Sequence, residues 1–263
     1  MIDPLPLPRR LFAEFVGSAV LAAAVIGSGI AAQQLSPQAV GLELLENAAA
    51  TGAVLYVLIL TLGPISGAHF NPVVSAVAAS LRVLGWRDAL AYLTAQVIGC
   101  IVGAVVANTM FGRAVISVAQ HHRASPAHLW AEIVATAGLV VVIFALVQTR
   151  RAALAPAAVG AYIAAAYFFT SSTSFANPAI TVGRMFSATF AGIAPSSAPT
   201  FIAAQVLGGM AGFAIIKVLY PAITSAEASE VVLPHPDDQD DTPGEPAPAP
   251  ACLAASGLSG ETS

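Results

Sequence analysis

Charged residues are scarce in this chain of 263 residues: they make up 9% of it, whereas hydrophobic residues make up 57%. Soluble globular domains carry roughly 25% charged residues, so the composition is that of a membrane protein. The net charge of −4 arises from the acids that follow Pro221, because the part before it holds ten basic residues and six acids. Nothing in this composition indicates a nucleic-acid partner.

Cysteine is nearly absent as well. Cys100 lies in an apolar run and Cys252 lies near the end of the chain, in neither a CxxC nor a metal-ligand spacing, so they predict no disulfide framework. His121, His122 and His128 cluster without a standard zinc spacing. The sequence also contains no phosphate loop, His-Glu-x-x-His or nucleophile elbow. We therefore expect no metal, no cofactor and no enzymatic activity.

Apolar runs, in contrast, are abundant. A membrane-spanning helix needs about 20 apolar residues, and six runs meet or approach that length. They are Leu11–Ala32, Ala48–Leu62, Asp88–Met110, Leu129–Gln148, Ala153–Phe169 and Thr200–Tyr220. The first run follows Arg9 and Arg10, as the core of a cleavable signal peptide would, but it is long for one and its pattern recurs later. This recurrence favours a spanning helix.

Three landmarks occur twice, in the same order and at nearly the same offset. They are Glu14 and Glu132, Asn71 and Asn177, and Gln96 and Gln205. Each Gln begins a Gln-x-x-Gly-x-x-x-Gly pattern, whose small residues let helix backbones approach closely. Three spans per copy is an odd number, so the second copy enters the membrane from the opposite side. The chain is thus predicted to be an inverted 3+3 repeat.

This repeat divides the chain into four parts. We expect the first repeat in residues 1–110, an external connecting loop in 111–128, the second repeat in 129–221 and a tail in 222–263. The tail is rich in Pro, Asp, Glu, Ala and Ser, a composition typical of a disordered segment. With the N-terminus inside, seven basic residues fall on the cytoplasmic side and three outside, in agreement with the positive-inside rule. Both termini are therefore predicted to be cytoplasmic, in a multi-pass protein of the inner (plasma) membrane.

Each half of the chain contains one Asn-Pro step. The two motifs are Asn71-Pro72-Val73 and Asn177-Pro178-Ala179. Asn is a favoured helix cap and Pro suits the first helical position, so the steps predict half-helices over about Pro72–Leu81 and Pro178–Phe190. In an inverted repeat their positive dipole ends meet at the midplane and oppose cations, but not neutral solutes. The sequence thus predicts an all-α membrane protein with six transmembrane helices and two re-entrant half-helices.

These motifs resemble a known family. The segment from Ser66 to Val73, Ser-Gly-Ala-His-Phe-Asn-Pro-Val, is similar to the first pore loop of the aquaporin (major intrinsic protein) family, and Asn177-Pro178-Ala179 to the second. With the Glu and Gln landmarks, the resemblance covers about residues 10–220. It implies one pore per subunit and a homotetramer in the lipid bilayer. It also implies that Glu14, Glu132 and His69 brace the pore loops, with a proton relay as the alternative role for the two glutamates.

The sequence departs from the family pattern at three positions. Val73 replaces the usual Ala of the first motif. Ile180 stands where the family usually has a pore-lining Arg, and Thr51 stands where water-selective members carry an aromatic residue. The resemblance therefore implies a selectivity filter that contains Thr51 and Ile180, is wider than usual and is less polar.

Two further filter positions follow from the resemblance. One is Ser174 and the other is Ala165, with Ala164 or Ala166 as alternatives because the second loop is about one residue shorter than usual. Arg184, one helical turn beyond Ile180, either lines the outer vestibule or is a loop arginine that bonds to carbonyls or faces solvent.

The filter set is small and uncharged, so we expect a passive channel for small uncharged solutes that favours glycerol-like molecules and also passes water. The filter also resembles that of an aquaglyceroporin-like subgroup from bacterial arsenic-resistance clusters that lacks the filter Arg. That likeness implies passage of neutral metalloid species such as arsenite or methylated arsenicals. The alternative is an ion- or proton-coupled secondary transporter, which would need a titratable or ion-coordinating group at the midplane.

Overall fold

The computed structural model describes residues 5–221, so the predicted tail, residues 222–263, lies outside the described residues. The described part of the chain is helical and contains six helices long and apolar enough to cross a membrane. In chain order the helices are α1 (Leu7–Leu35), α2 (Val40–Ser66), α3 (Pro72–Ser80), α4 (Trp86–Met110), α5 (Pro126–Gln148), α6 (Ala155–Phe169), α7 (Pro178–Arg184) and α8 (Ala198–Leu219). The predicted fold class, six spans with two half-helices, is confirmed.

Several spans are longer than hydropathy predicts. Helix α2 begins at Val40 rather than Ala48, because its first turns carry Glu43 and Glu46, which an apolar count leaves out. Helix α5 begins at Pro126, inside the segment expected to be a loop, where the Ser125 hydroxyl caps it by accepting the backbone N–H of His128. Polar first turns of this kind place the helix ends at the membrane surface.

Within each repeat the first and third spans pack through glycines. Gly99 and Gly103 of α4 face α1 so closely that a Cβ at Gly103 would lie 2.2 Å from the Ala19 carbonyl oxygen. Gly208 and Gly212 of α8 face α5 in the same way. The predicted close approach at Gln-x-x-Gly-x-x-x-Gly is therefore confirmed in both halves.

The two half-helices lie between the spans and touch each other. Helix α3 packs against α4 and α8, and α7 packs against α4, α8 and α1. Helix α7 ends at Arg184, although the sequence predicted an end near Phe190. The backbone N–H groups of Met185 and Phe186 bond three residues back, and the Ser187 hydroxyl then donates to Asn108 Oδ1 of α4 at 2.7 Å. This polar anchor draws the chain away from the helix axis.

Candidate functional site: the paired pore loops

Each Asn-Pro motif caps its own half-helix. Asn71 Oδ1 accepts the backbone N–H of Val73 at 2.9 Å, and Asn177 Oδ1 accepts that of Ala179 at 2.9 Å. Pro72 and Pro178 occupy the first helical positions, where a missing N–H costs nothing. Because each side-chain oxygen is held by its own helix, the amide nitrogen is left to point elsewhere.

Those amide nitrogens cross between the two halves of the chain. Asn71 Nδ2 donates to the carbonyl of Ala176 at 2.7 Å, and Asn177 Nδ2 donates to the carbonyl of Phe70 at 2.7 Å. An amide NH2 group has two hydrogens, and each of these nitrogens makes one hydrogen bond among the described residues. The meeting point of the half-helices therefore presents two N–H groups that can donate to a further acceptor.

Glu14 holds the loop before the first motif. Its carboxylate accepts the backbone N–H of His69 at 3.0 Å and that of Phe70 at 2.7 Å. It also accepts the Ser66 hydroxyl at 2.6 Å and Nε2 of Gln96 at 2.8 Å. Four donors satisfy this fully buried carboxylate, which a charged group at membrane depth requires.

Glu132 does the same in the second half. It accepts the backbone N–H groups of Phe175 and Ala176, each at 2.9 Å. The Ser172 hydroxyl and Gln205 Nε2 donate to it, each at 2.6 Å. The two braces are therefore equivalent, residue for residue, under the inverted repeat.

The braced loops contain strained backbone at matched positions. Ala68 and Phe70 have φ values of 49° and 47°, and Ser174 and Ala176 have values of 47° and 48°. Non-glycine residues in this left-handed region cost on the order of 1–3 kcal/mol each and persist where the surroundings hold them. The carboxylate bonds at Phe70 and Ala176 supply that restraint.

His69 takes part in the brace through its backbone. Its ring Nδ1 lies 3.0 Å from the Ser75 hydroxyl, and the ring packs edge-on against Tyr92 with centroids 5.4 Å apart. The side chain thereby joins the pore loop to α3 and α4.

Three of the four expected filter residues are buried close to the pore loops. Thr51 Oγ1 lies 3.2 Å from the hydroxyl of Tyr167, and each residue is 2% exposed. Ile180 belongs to the same apolar cluster as Tyr167. The hydroxyl of Ser174 is buried and has no hydrogen-bond partner among the described residues. A buried hydroxyl without a partner is costly, so Ser174 Oγ keeps unused hydrogen-bonding capacity at this loop.

Ala165 differs from the other three in its position. It lies on the exposed face of α6, whereas the buried face carries Ile163, Ala166 and Tyr167. With 3.6 residues per turn, position 165 points away from that face. Of the two alternatives, Ala164 packs against α2, since a Cβ at Gly52 would lie 2.9 Å from its Cβ. Ala166 lies on the buried face beside Tyr167 and stays the predicted filter position. The α6 side chain that reaches Thr51 is instead Tyr167.

Arg184 lies inside the protein rather than at a solvent-facing mouth. It is 2% exposed, its Nε donates to the carbonyl of Ala191, and its guanidinium carbon lies 3.4 Å from the centroid of the Phe175 ring. The sequence left two roles open for Arg184. The bond to the carbonyl of Ala191 is typical of a loop arginine, whereas burial beside Phe175 is what a pore-facing group would show, so both roles stay open.

The connecting loop contributes a second arginine to this region. Arg123 donates from Nε to the carbonyl of Gly192 at 3.0 Å and from a terminal nitrogen to that of Phe190 at 3.1 Å. Burial lowers the pKa of Arg123, and burial together with the neighbouring Arg123 charge lowers the pKa of His121. The residues that the structure describes contain no His, Cys, Asp or Glu group able to hold a metal ion.

Sequence reasoning missed several site residues. Ser66 and Ser172 each stand five positions before a motif Asn and bond to the bracing glutamate, so the repeat itself contained the signal. Tyr167 and Phe175 had no such signal. The repeat places His69 opposite Phe175, a different residue type, and the roles of both aromatic side chains depend on helix phase and loop path.

Comparison with known proteins agrees with this architecture. The chain matches the major intrinsic protein family over residues 2–176. It is 46% identical to the aquaglyceroporin AqpS of Rhizobium meliloti strain 1021 over 217 residues, which is 82% of this chain and 92% of that protein. It is 36% identical to the aquaporin NIP6-1 of Arabidopsis thaliana over 106 residues, 40% of this chain and 33% of the relative.

A solved structure shows the same fold. The X-ray structure of the aquaglyceroporin from Plasmodium falciparum superposes with a TM-score of 0.68 and 19% identity, covering 82% of this chain and 98% of that one. The family match over residues 2–176 and the identity with AqpS along most of both chains show descent as well as fold. The chain therefore belongs to the major intrinsic protein (aquaporin) family, whose members are passive membrane channels and not enzymes.

Proposed function

We propose that this protein passes small uncharged solutes, favouring glycerol-like molecules and neutral metalloid species such as arsenite and methylated arsenicals, and that it also passes water. The observation that carries the proposal is the pair of crossed asparagines. Asn71 and Asn177 each keep one N–H for a solute oxygen where two positive helix ends meet. Such a site accepts a neutral hydroxyl and opposes a cation.

The preference for solutes larger than water rests on the outer filter. Thr51 and Ser174 offer hydroxyls, and Ile180 offers an apolar wall in place of a charged fork. The similarity to AqpS, which is named an aquaglyceroporin, supports this reading. The proposed passage of neutral metalloid species depends on the residue at position 180, which is isoleucine rather than arginine.

The quaternary structure and the orientation belong to the same proposal. We infer a homotetramer in the inner (plasma) membrane with both termini in the cytoplasm. The uneven distribution of basic residues across the loops supports this orientation.

Liposomes with the purified protein test the proposal by stopped-flow light scattering. We expect flux of water and glycerol, and uptake of a methylated arsenical, without any ion gradient. Thr51→Phe places a ring in the filter and should lower glycerol flux much more than water flux. Thr61→Phe is the matched control, because Thr61 is an exposed residue of the same helix whose hydroxyl bonds only its own backbone.

Two results would contradict the proposal. Flux that requires a sodium or proton gradient would indicate a coupled transporter. Equal effects of Thr51→Phe and Thr61→Phe on the glycerol-to-water ratio would show that Thr51 does not line the pore.

A further inference from the structure

Arg184 is a buried cation with few partners. Among the described residues its Nε donates to the carbonyl of Ala191, the hydroxyl of Tyr167 lies against its guanidinium, and it has no ion pair. The ion pair that the described region does contain joins Arg10 and Asp88 elsewhere. Ionisable groups at membrane depth are costly, and they are usually found where the protein handles a solute or an ion. The terminal nitrogens of Arg184 thus have donor capacity that the protein itself does not use.

The position of the guanidinium follows from helix geometry. Arg184 is the last residue of α7, and long helical side chains point back towards the N-terminal end of their helix. The side chain therefore folds towards the midplane and lies on the ring of Phe175, in the loop that precedes Asn177. A cation over an aromatic face at this distance is held in place without losing its charge.

The same guanidinium adjoins the outer filter. The hydroxyl of Tyr167 interacts with it, and that hydroxyl is the group 3.2 Å from Thr51 Oγ1. A guanidinium and two hydroxyls thus form one polar group on the inner side of α2, α6 and α7. Nε is bonded to the carbonyl of Ala191 and Tyr167 lies against both the guanidinium and Thr51, so the donors left for an oxygen atom in the pore are the remaining N–H groups of the terminal nitrogens.

Arg123 provides the internal comparison. Its guanidinium also faces Phe175, at 5.3 Å from the ring centroid, but Nε and one terminal nitrogen are bonded to the carbonyls of Gly192 and Phe190. These bonds join the connecting loop to the loop that follows α7. Two arginines therefore face one ring: Arg123 is held by two loop carbonyls through Nε and a terminal nitrogen, whereas Arg184 bonds a carbonyl through Nε alone.

We propose that Arg184 is a specificity-determining residue of the outer pore, which donates hydrogen bonds to the oxygens of a neutral hydroxylated solute and opposes cations and protons. It does so from a position one turn beyond Ile180, with Phe175 as its support and Tyr167 as its neighbour. The proposal deepens the proposed function, because it assumes a pore at this site. It identifies the chemistry recognised there as a small neutral molecule that carries hydroxyl oxygens.

Proton leak and solute flux in liposomes test this role. Arg184→Met removes the charge and the donors but keeps an unbranched side chain on the ring. We expect proton leak to rise about tenfold or more, since a nearby unit charge no longer opposes it, with water flux little changed. Arg123→Met is the matched control: it removes a charge that lies farther from the ring together with two loop bonds, so it should lower thermal stability and raise proton leak per folded protein much less than Arg184→Met does.

Arg184→Lys separates the two parts of the proposal and covers the case in which Arg184→Met does not assemble. Lysine keeps the charge over the ring but lacks the planar fork of donors. We expect proton exclusion to persist and the glycerol-to-water ratio to change about threefold or more, as expected for a lost hydrogen bond.

Unchanged proton leak in Arg184→Met would overturn the electrostatic part. An unchanged glycerol-to-water ratio in Arg184→Lys would overturn the recognition part. The proton-leak result does not depend on which solute the wild-type protein passes. Absence of glycerol flux in the wild type would contradict the proposed function and the recognition part together, while the electrostatic part would still be tested by proton leak.

Discussion

Position 180 determines, in this proposal, how much room the outer filter leaves. Ile180 is buried in the apolar cluster that also contains Tyr167, and its backbone N–H lies 3.3 Å from Asn177 Oδ1. The backbone is thus fixed by the cap, and only the side chain varies. A substitution here changes the chemistry of the wall while leaving the loop path in place.

Ile180→Arg should therefore narrow the filter. The longer side chain occupies volume that a larger solute needs, and its hydrated charge adds to that of Arg184. We expect glycerol flux to fall about tenfold relative to water flux, as a constriction selects by size and polarity. The same liposome assay measures both fluxes.

Ile180→Leu is the control for this change, because it conserves volume and should leave both fluxes nearly unaltered. A glycerol-to-water ratio that Ile180→Arg leaves unchanged would place Ile180 outside the constriction.

Single residues of the site were predictable where the repeat marked them. Asn71 and Asn177 could be identified from sequence because local cap chemistry and duplication agree. For the α6 filter position the sequence left Ala164, Ala165 and Ala166 open, and of these Ala165 lies on the exposed face and Ala166 on the buried face. The loop between α6 and Asn177 is about one residue shorter than usual in the family. Counting residues back from Asn177 therefore does not determine which α6 side chain faces the interior. Tyr167 was missed for the same reason.

At the scale of the helices, the two pore motifs differ at their third residue, and the residue on the facing helix differs in the opposite sense. Val73 in the first motif packs on α8 at Gly209, where a Cβ would lie 2.3 Å from Val73 Cγ1. The equivalent positions in the other half are Ala179 and Cys100. A larger motif residue in the first half is thus matched by a smaller residue on the facing helix.

Gly209→Ala should consequently destabilise the protein by about 1–3 kcal/mol, as overpacking of a close contact does. Val73→Ala in the same chain should restore most of this loss, although alone it leaves a small cavity. Thermal unfolding midpoints of the two single variants and the double variant in detergent measure the coupling. Additive losses in the double variant would show that the two positions are not a packing pair.

Helix existence was easier to predict than helix extent. The six spans were recognisable because each provides enough apolar length for the bilayer. The ends of α2 and α5 were not, because Glu43, Glu46 and the Ser125 cap belong to the polar surface layer that hydropathy discounts. The early end of α7 depends on a tertiary bond between Ser187 and Asn108, which no local pattern indicates.

For the whole molecule, the inverted repeat gives the two pore loops the same kind of support, a buried glutamate that accepts four hydrogen bonds. Glu14 and Glu132 each accept two backbone N–H groups, one hydroxyl and one glutamine amide. Replacing either carboxylate by an amide puts an NH2 group against donors and leaves at least one of them unsatisfied.

Glu14→Gln and Glu132→Gln should therefore lower stability by similar amounts, on the order of 1–3 kcal/mol for each donor left unpaired. Unfolding midpoints of the two variants in detergent, compared with an exposed substitution such as Thr61→Ser, provide the measurement. A large effect from one variant only would show that the two loops are held by different means, and that the two-fold relation does not extend to their energetics.

The crossed bonds between the asparagines and the opposite loops also bear on how the protein is made. When the first repeat enters the membrane, the Asn71 amide and the Phe70 carbonyl have no partners, because Ala176 and Asn177 have not yet been synthesised. The two pore loops can therefore form their mutual hydrogen bonds only after the second half of the chain has been synthesised. An ancestor that encoded a single repeat could have formed the same two bonds between copies inserted in opposite orientations, so gene fusion would have preserved an existing interface.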